Sequence, residues 1–301
     1  MISYKIDRDG NTIDQSYIET LINTHNETWI KRASERTATY KVEGKVTHDS
    51  HIWSQIKEVY MKIQGNKCAF CETELEGKDS GKGLHDIEHF RPKNRIRKWK
   101  SSPEFDSLGI HITAPSASKG YHLLTYNLLN YSISCKPCNQ AIKSDRFPIK
   151  GNYNTTMENP ATESDAETPL LLFPLGQIDV DCENLISFRG SVPVTIKPNG
   201  LEFERAITTI DFFRLGRADL RGKLFKERCL KIIIIDAFLD DDDDPEDYEV
   251  ILKEIIADYS DHANCARSYI HLLKTDKIKA SEVLKEARNF IRTYIPDEEL
   301  H

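Results

Sequence analysis

Cys68-Ala69-Phe70-Cys71 and Cys135-Lys136-Pro137-Cys138 set the architecture of this chain. Each is a Cys-x2-Cys knuckle. Thiolates at this spacing turn back onto one ion, and two such knuckles complete the tetrahedral four-sulfur set of a structural Zn²⁺ site. Four thiolates leave no open position for substrate, so this zinc is expected to brace the fold and take no part in chemistry. The 63 residues 72–134 between the knuckles exceed a minimal zinc ribbon, so a second device is expected inside that loop.

Within it runs His85-Asp86-Ile87-Glu88-His89-Phe90-Arg91-Pro92-Lys93. A carboxylate directly before a histidine, at a strand end, suits phosphodiester hydrolysis. Glu88 offers hard oxygen to a divalent ion, and a neutral His89 can take a proton from water. Asn130 stands five residues before Cys135, and Asn139 directly follows Cys138. Cys138 is expected to fix the start of a helix, from which Asn139 aims its amide oxygen at the same ion. Asp86, one strand step from Glu88, reads first as a surface residue and second as a further oxygen ligand. His85, His111 and His122 read as structural or surface residues.

Taken together, Glu88-His89, Asn130, the second knuckle, Asn139 and Lys143 resemble the HNH (ββα-metal) nuclease pattern; Asn130 and Asn139 keep its spacing of nine. More narrowly, CAFCE, IEHFRPK, NYSISCKPCN and KSDRFP resemble the PtuB-like HNH proteins of retron and Septu anti-phage systems, over about residues 50–230. The resemblance implies His89 as general base, Asn130 bracing the loop that bears it, and Glu88 and Asn139 holding one Mg²⁺ or Mn²⁺. It implies phosphate contacts from Lys143 and from Arg91 or Lys93. The implied activity is endonucleolytic cleavage of nucleic acid, DNA first and RNA second, beside a separate ATPase subunit. Two departures stand out: Glu88 replaces the more usual aspartate, and the 40 residues 90–129 exceed a minimal motif.

That insertion carries Arg91, Lys93, Arg95, Arg97, Lys98 and Lys100 around Trp99, a candidate segment for tracking a nucleic-acid backbone. Outward from it, Ile18, Leu21, Ile22, Trp29 and Ile30 recur at helical spacing over 16–36. Ile52, Ile56, Val59, Tyr60 and Ile63 predict a helix over 50–64, stopped by Gly65 and Asn66. Residues 151–168, rich in Asn, Thr, Glu and Pro, read as a linker. LLLF, LISF and VPVTI between 170 and 204 read as strands. Helices are expected near 205–239, 246–259, 262–274 and 280–294. The expected fold class is α+β: a zinc-braced ββα core at 65–150, after a helical region 1–64. A short-strand region 151–204 and a helical region 205–301 with an acidic loop follow.

Charge is uneven. Residues 86–150 hold 11 Lys/Arg against 5 Asp/Glu, whereas 236–261 hold 12 acidic residues against Lys253. A basic middle beside an acidic tail suits a phosphate-binding centre with a solvated outer region. The run Asp240–Asp244 reads as a solvated loop, and GKDSGKG at 77–83 lacks the spacing of a phosphate loop, so no ATPase motif is visible. No apolar run reaches the ~20 residues of a membrane span, and MISYKIDRDG lacks a secretory layout, so a cytoplasmic chain with reduced cysteines is expected. Cys182, Cys229 and Cys265 then read as buried thiols. The rival reading is a non-catalytic zinc ribbon that binds nucleic acid or protein, needing the cysteines but not Glu88, His89 and Asn139. A third is a toxin-like nuclease that acts alone.

Overall fold

The computed structural model describes residues 1–47, 51–75, 85–113, 116–160, 167–176, 178–239 and 245–294. Asp14 accepts from Tyr17 N at 2.8 Å and so opens α1 (Gln15–His25). The apolar period over 16–36 makes two helices, not one. Asn26 turns the chain with its N–H on Ile22 O, and α2 (Trp29–Glu43) starts afresh, ending on Gly44 at a left-handed φ of 65°. The stripe at 50–64 also divides, into a 3₁₀ segment (Ile52–Ile56) and α3 (Lys57–Ile63). Trp29 Nε1 ties the two regions together by donating to Ile52 O at 2.8 Å.

β1 (His85–His89) comes next, then the short α4 (Pro103–Asp106), then β2 (Tyr131–Cys135). β1 and β2 form an antiparallel ribbon with His85 opposite Cys135, Ile87 opposite Ile133 and His89 opposite Tyr131. Gln64, fully buried, acts as a third strand along the outer edge of β2: its Oε1 accepts from Ile133 N at 2.7 Å and its Nε2 donates to Ile133 O at 3.0 Å. Straight after β2 the chain winds into a helix, Pro137–Lys143, with π spacing: Ser144 N reaches back five residues to Asn139 O at 2.6 Å.

Two further hairpins follow, β3 (Ile149–Gly151) with β4 (Glu167–Pro169) and β5 (Ile186–Arg189) with β6 (Val192–Thr195). The LLLF stretch, expected as a strand, is buried but joins no ladder; Leu172 N is satisfied by Thr209 Oγ1 at 3.0 Å instead. The C-terminal helices are α5 (Gly200–Phe212), α6 (Gly222–Leu239), α7 (Pro245–Ile256), α8 (Ala263–Thr275) and α9 (Lys277–Thr293). The helix expected over 205–239 is thus broken at 213–221, where Arg214 takes a left-handed φ of 54°.

The architecture is α+β, helices around small two-stranded sheets. Buried apolar side chains form two clusters. The larger runs from Met1 to Ala263 and includes Trp29, Tyr60, Phe70, Ile133, Phe147, Leu171 and Phe213. The smaller lies under α6, α8 and α9. Boundaries at 64, 150 and 204 therefore do not separate cores. Cys182, Cys229 and Cys265 are buried. Residues 77–83 and 240–244 lie outside the described residues. No helix among the described residues is long and apolar enough to cross a membrane.

Candidate functional site

The Cys135 end of the ribbon holds the first site. The first knuckle is closed by Cys68 N donating to Thr73 O at 3.0 Å and Glu72 N donating to Cys68 O at 3.0 Å. Cys135 ends β2 and Cys138 lies in the helix that follows. All four Sγ atoms fall within 4.8 Å of one another, and Cys71 and Cys135 are 3.7 Å apart. A tetrahedral zinc with bonds of about 2.3 Å places its sulfurs roughly 3.8 Å apart, so the donor set fits that ion. Four thiolates around Zn²⁺ leave a net negative charge, and Arg221 Nη2 lies 3.5 Å from Cys138 Sγ to offset it. Burial by itself would depress Arg221, but the Cys138 and Cys71 sulfurs hold it above the ordinary guanidinium value. Phe70 stacks on Phe213 at 4.1 Å beside the knuckle, so the segment between α5 and α6 closes over the site.

A cleft of about 1100 Å³ runs along β1 from His85 to His89, lined among others by Trp53, Asp86, Glu88, His89, Lys93 and Asn139. His89 is nearly enclosed, with Trp53 edge-on at 4.9 Å and Tyr131 edge-on at 5.0 Å. Its Nε2 lies 3.0 Å from Thr125 O. A carbonyl only accepts, so in the neutral ring Nε2 carries the proton and Nδ1 keeps the lone pair. Burial pushes the His89 imidazole well below its ordinary value; the positive charges of Lys93 and Lys143 push it the same way, against the Thr125 hydrogen bond. A neutral imidazole at neutral pH follows.

Glu88 is buried beside it. Burial raises its carboxyl above the ordinary value, and the attraction of Lys143 only partly opposes this. Lys143 Nζ donates to Glu88 Oε1 at 2.5 Å and to His89 O at 2.9 Å. Asn130, fully buried, accepts from Arg91 N at 2.8 Å and donates to Arg91 O and Leu124 O, each at 3.1 Å. Those bonds pin the turn that leaves β1 just after His89. Asn139 is half-buried on the cleft wall, and Asp86 Oδ2 accepts from Gln140 Nε2 at 2.9 Å on the same wall.

The expected phosphate contacts divide. Arg91 is buried: its Nε donates to Glu167 Oε1 at 3.0 Å, and Tyr121 and Phe147 flank its guanidinium. It is an internal ion pair rather than a phosphate contact, because the chain turns inward after His89. Lys143 is likewise fully enclosed, spent on Glu88 and the His89 carbonyl. Lys93 lines the cleft with its ammonium 4.4 Å above the Trp53 ring, and Arg95 and Arg97 are exposed at the rim. His85 is buried against Met61, His122 is buried, and His111 is exposed. Among the described residues, the four cysteines are the group of His, Cys, Asp or Glu side chains whose donor atoms converge on one point.

Several site residues escape the sequence reading. Trp53 falls within the helix expected over 50–64 but off its apolar stripe, Thr125 has no motif, and Arg221 lies 83 positions from Cys138. Glu167, the partner of Arg91, falls in a stretch read as linker. Protein-family models, curated proteins and solved structures were compared with the chain, and none matches.

Proposed function

We propose that the chain is a metal-dependent HNH-type endonuclease that hydrolyses phosphodiester bonds of nucleic acid, with DNA the first substrate to test. One observation carries the reading: Glu88, His89 and Asn139, from a strand and a helix far apart in sequence, line a single cleft. His89, neutral and with Nδ1 as acceptor, is suited to take a proton from the attacking water. Asn130 orients the turn that bears it. Glu88 and Asn139 are the oxygen donors for a Mg²⁺ or Mn²⁺, which would offset charge on the scissile phosphate and on the departing 3′ oxygen. The Lys143 ammonium opposes the rise that burial imposes on the Glu88 carboxyl. The anti-phage setting and a separate ATPase subunit belong to this proposal through the sequence resemblance alone.

A second reading has an observation in its favour. Glu88 is already matched by Lys143, and the convergent metal donors lie at the other end of the ribbon, as a non-catalytic zinc-braced binding module would have them. Purified protein with plasmid DNA and a panel of RNAs, in Mg²⁺ or Mn²⁺, separates the two. Expected is cleavage by the wild type and a loss of about 10²–10⁴-fold in His89→Ala, with zinc content equal in both. Binding without cleavage by either protein, with and without a candidate ATPase, would support the module.

A further inference from the structure

At the rim of the cleft two arginines meet the two oxygens of one carboxylate. Arg95 Nε donates to Asp145 Oδ2 at 2.8 Å, Arg97 Nε donates to Asp145 Oδ1, and Arg97 Nη2 donates to Ser144 Oγ at 2.9 Å. The backbones are joined as well, Arg97 N donating to Asp145 O at 2.9 Å. Asp145 thus takes both guanidiniums by their Nε edges. Arg95 Nη1 and Nη2 and Arg97 Nη1 have no partner among the described residues. Their side chains are 63% and 46% exposed, while that of Asp145 is 21% exposed.

Stability does not account for this cluster. Exposed ion pairs contribute about 0–1 kcal/mol each. Ser144, whose hydroxyl completes the set, holds a left-handed φ of 47°, a conformation that costs a non-glycine residue about 1 kcal/mol or more. One carboxylate against two guanidiniums also leaves net positive charge facing outward.

We infer that Asp145 is a positioning residue that holds Arg95 and Arg97 as a two-arginine clamp for one backbone phosphate of a nucleic acid. The inference deepens the nuclease reading and takes its substrate class from it. The placement suits the role. Arg95, Ser144 and Asp145 line the cleft that holds Glu88 and His89. Arg97 lines a neighbouring groove of about 410 Å³ together with Lys98, Trp99 and Lys100. The clamp therefore stands on the ridge between the two concavities, where a strand leaving the cleft would pass. Asp145 also lies two positions beyond Lys143, whose ammonium holds Glu88. Fork-shaped guanidiniums grip phosphate best when their orientation is set in advance, which a shared carboxylate on the Nε edges provides.

The test is binding of a fluorescein-labelled oligodeoxynucleotide to the full, zinc-loaded chain without Mg²⁺ or Mn²⁺, read by anisotropy across a salt series. Asp145→Asn is expected to bind roughly three- to tenfold more weakly, although it makes the protein one unit more positive. Unchanged or tighter binding, the result if Asp145 merely neutralised two surface cations, overturns the clamp. Arg95→Ala and Arg97→Ala should each lower the salt slope by about 0.9, one phosphate's worth, and the double variant by no more than either. Additive slope losses, or no binding by the wild type, also overturn it. Cleavage by the wild type is scored separately. Binding that depends on Asp145 without any cleavage would keep the clamp and remove the nuclease reading.

Discussion

At the Cys135 end of the β1–β2 ribbon, four sulfurs lie within 4.8 Å of one another and are largely buried. At the His89 end, about 13 Å along an extended strand, Glu88 and His89 open on a cleft of about 1100 Å³. The first end gathers four sulfurs that could hold one metal ion such as zinc, with Arg221 beside Cys138 to offset the charge such a site would carry. The second keeps each charge matched inside the protein: Glu88 by Lys143, His89 neutral by burial. A closed site draws its strength from a complete donor set. An open one holds its charged groups without collapsing by giving them internal partners, which under the proposed nuclease reading an incoming ion or phosphate would rebalance.

The largest expected effect lies at the closed end. Cys71→Ser should lose the metal and, with it, much of the folding free energy, since binding to a structural zinc site is folding free energy. Zinc content by atomic absorption and the thermal midpoint check this; a variant that keeps its midpoint would make the two ends more alike than their geometry implies. Next comes the ion pair at the open end. Lys143→Met leaves a buried carboxylate unpaired and should cost about 3–5 kcal/mol in urea unfolding, much of it recovered in the Glu88→Gln/Lys143→Met double variant. A cost under about 1 kcal/mol for the single variant would mean that Glu88 is as well solvated as a surface group.

The smallest effect is in pH. The folded-state value of His89 lies well below the ordinary imidazole value of about 6.5. As pH falls past 6.5, the unfolded chain binds a proton that the folded one refuses, so stability falls in that direction. The imidazole meanwhile stays neutral, so under the proposed nuclease reading cleavage should change by less than about twofold between pH 7.5 and 6.5. A half-maximal rate at pH 6.5 would show an imidazole in contact with water.

Read from the chain alone, the two knuckles, the Glu88-His89 pair and the asparagines after them were legible because each is a short, rigid spacing. Two residues between cysteines fix a turn. Adjacent strand positions alternate in face, so it is tertiary structure that lets Glu88 and His89 both reach one cleft at the end of β1. An α+β chain with a helix following Cys138 was legible for the same local reason. Tertiary structure alone decided which cations face solvent. Arg91 and Arg95 sit four positions apart in one basic run, yet one is buried on Glu167 and the other stands at the rim. It also decided that Arg221 serves the cysteines, that Thr125 sets the His89 tautomer, and that Asp145 joins two arginines. Local sequence encodes backbone conformation and residue chemistry. The partner of a charge is set by chain segments far away, and which segment arrives is a property of the packed core.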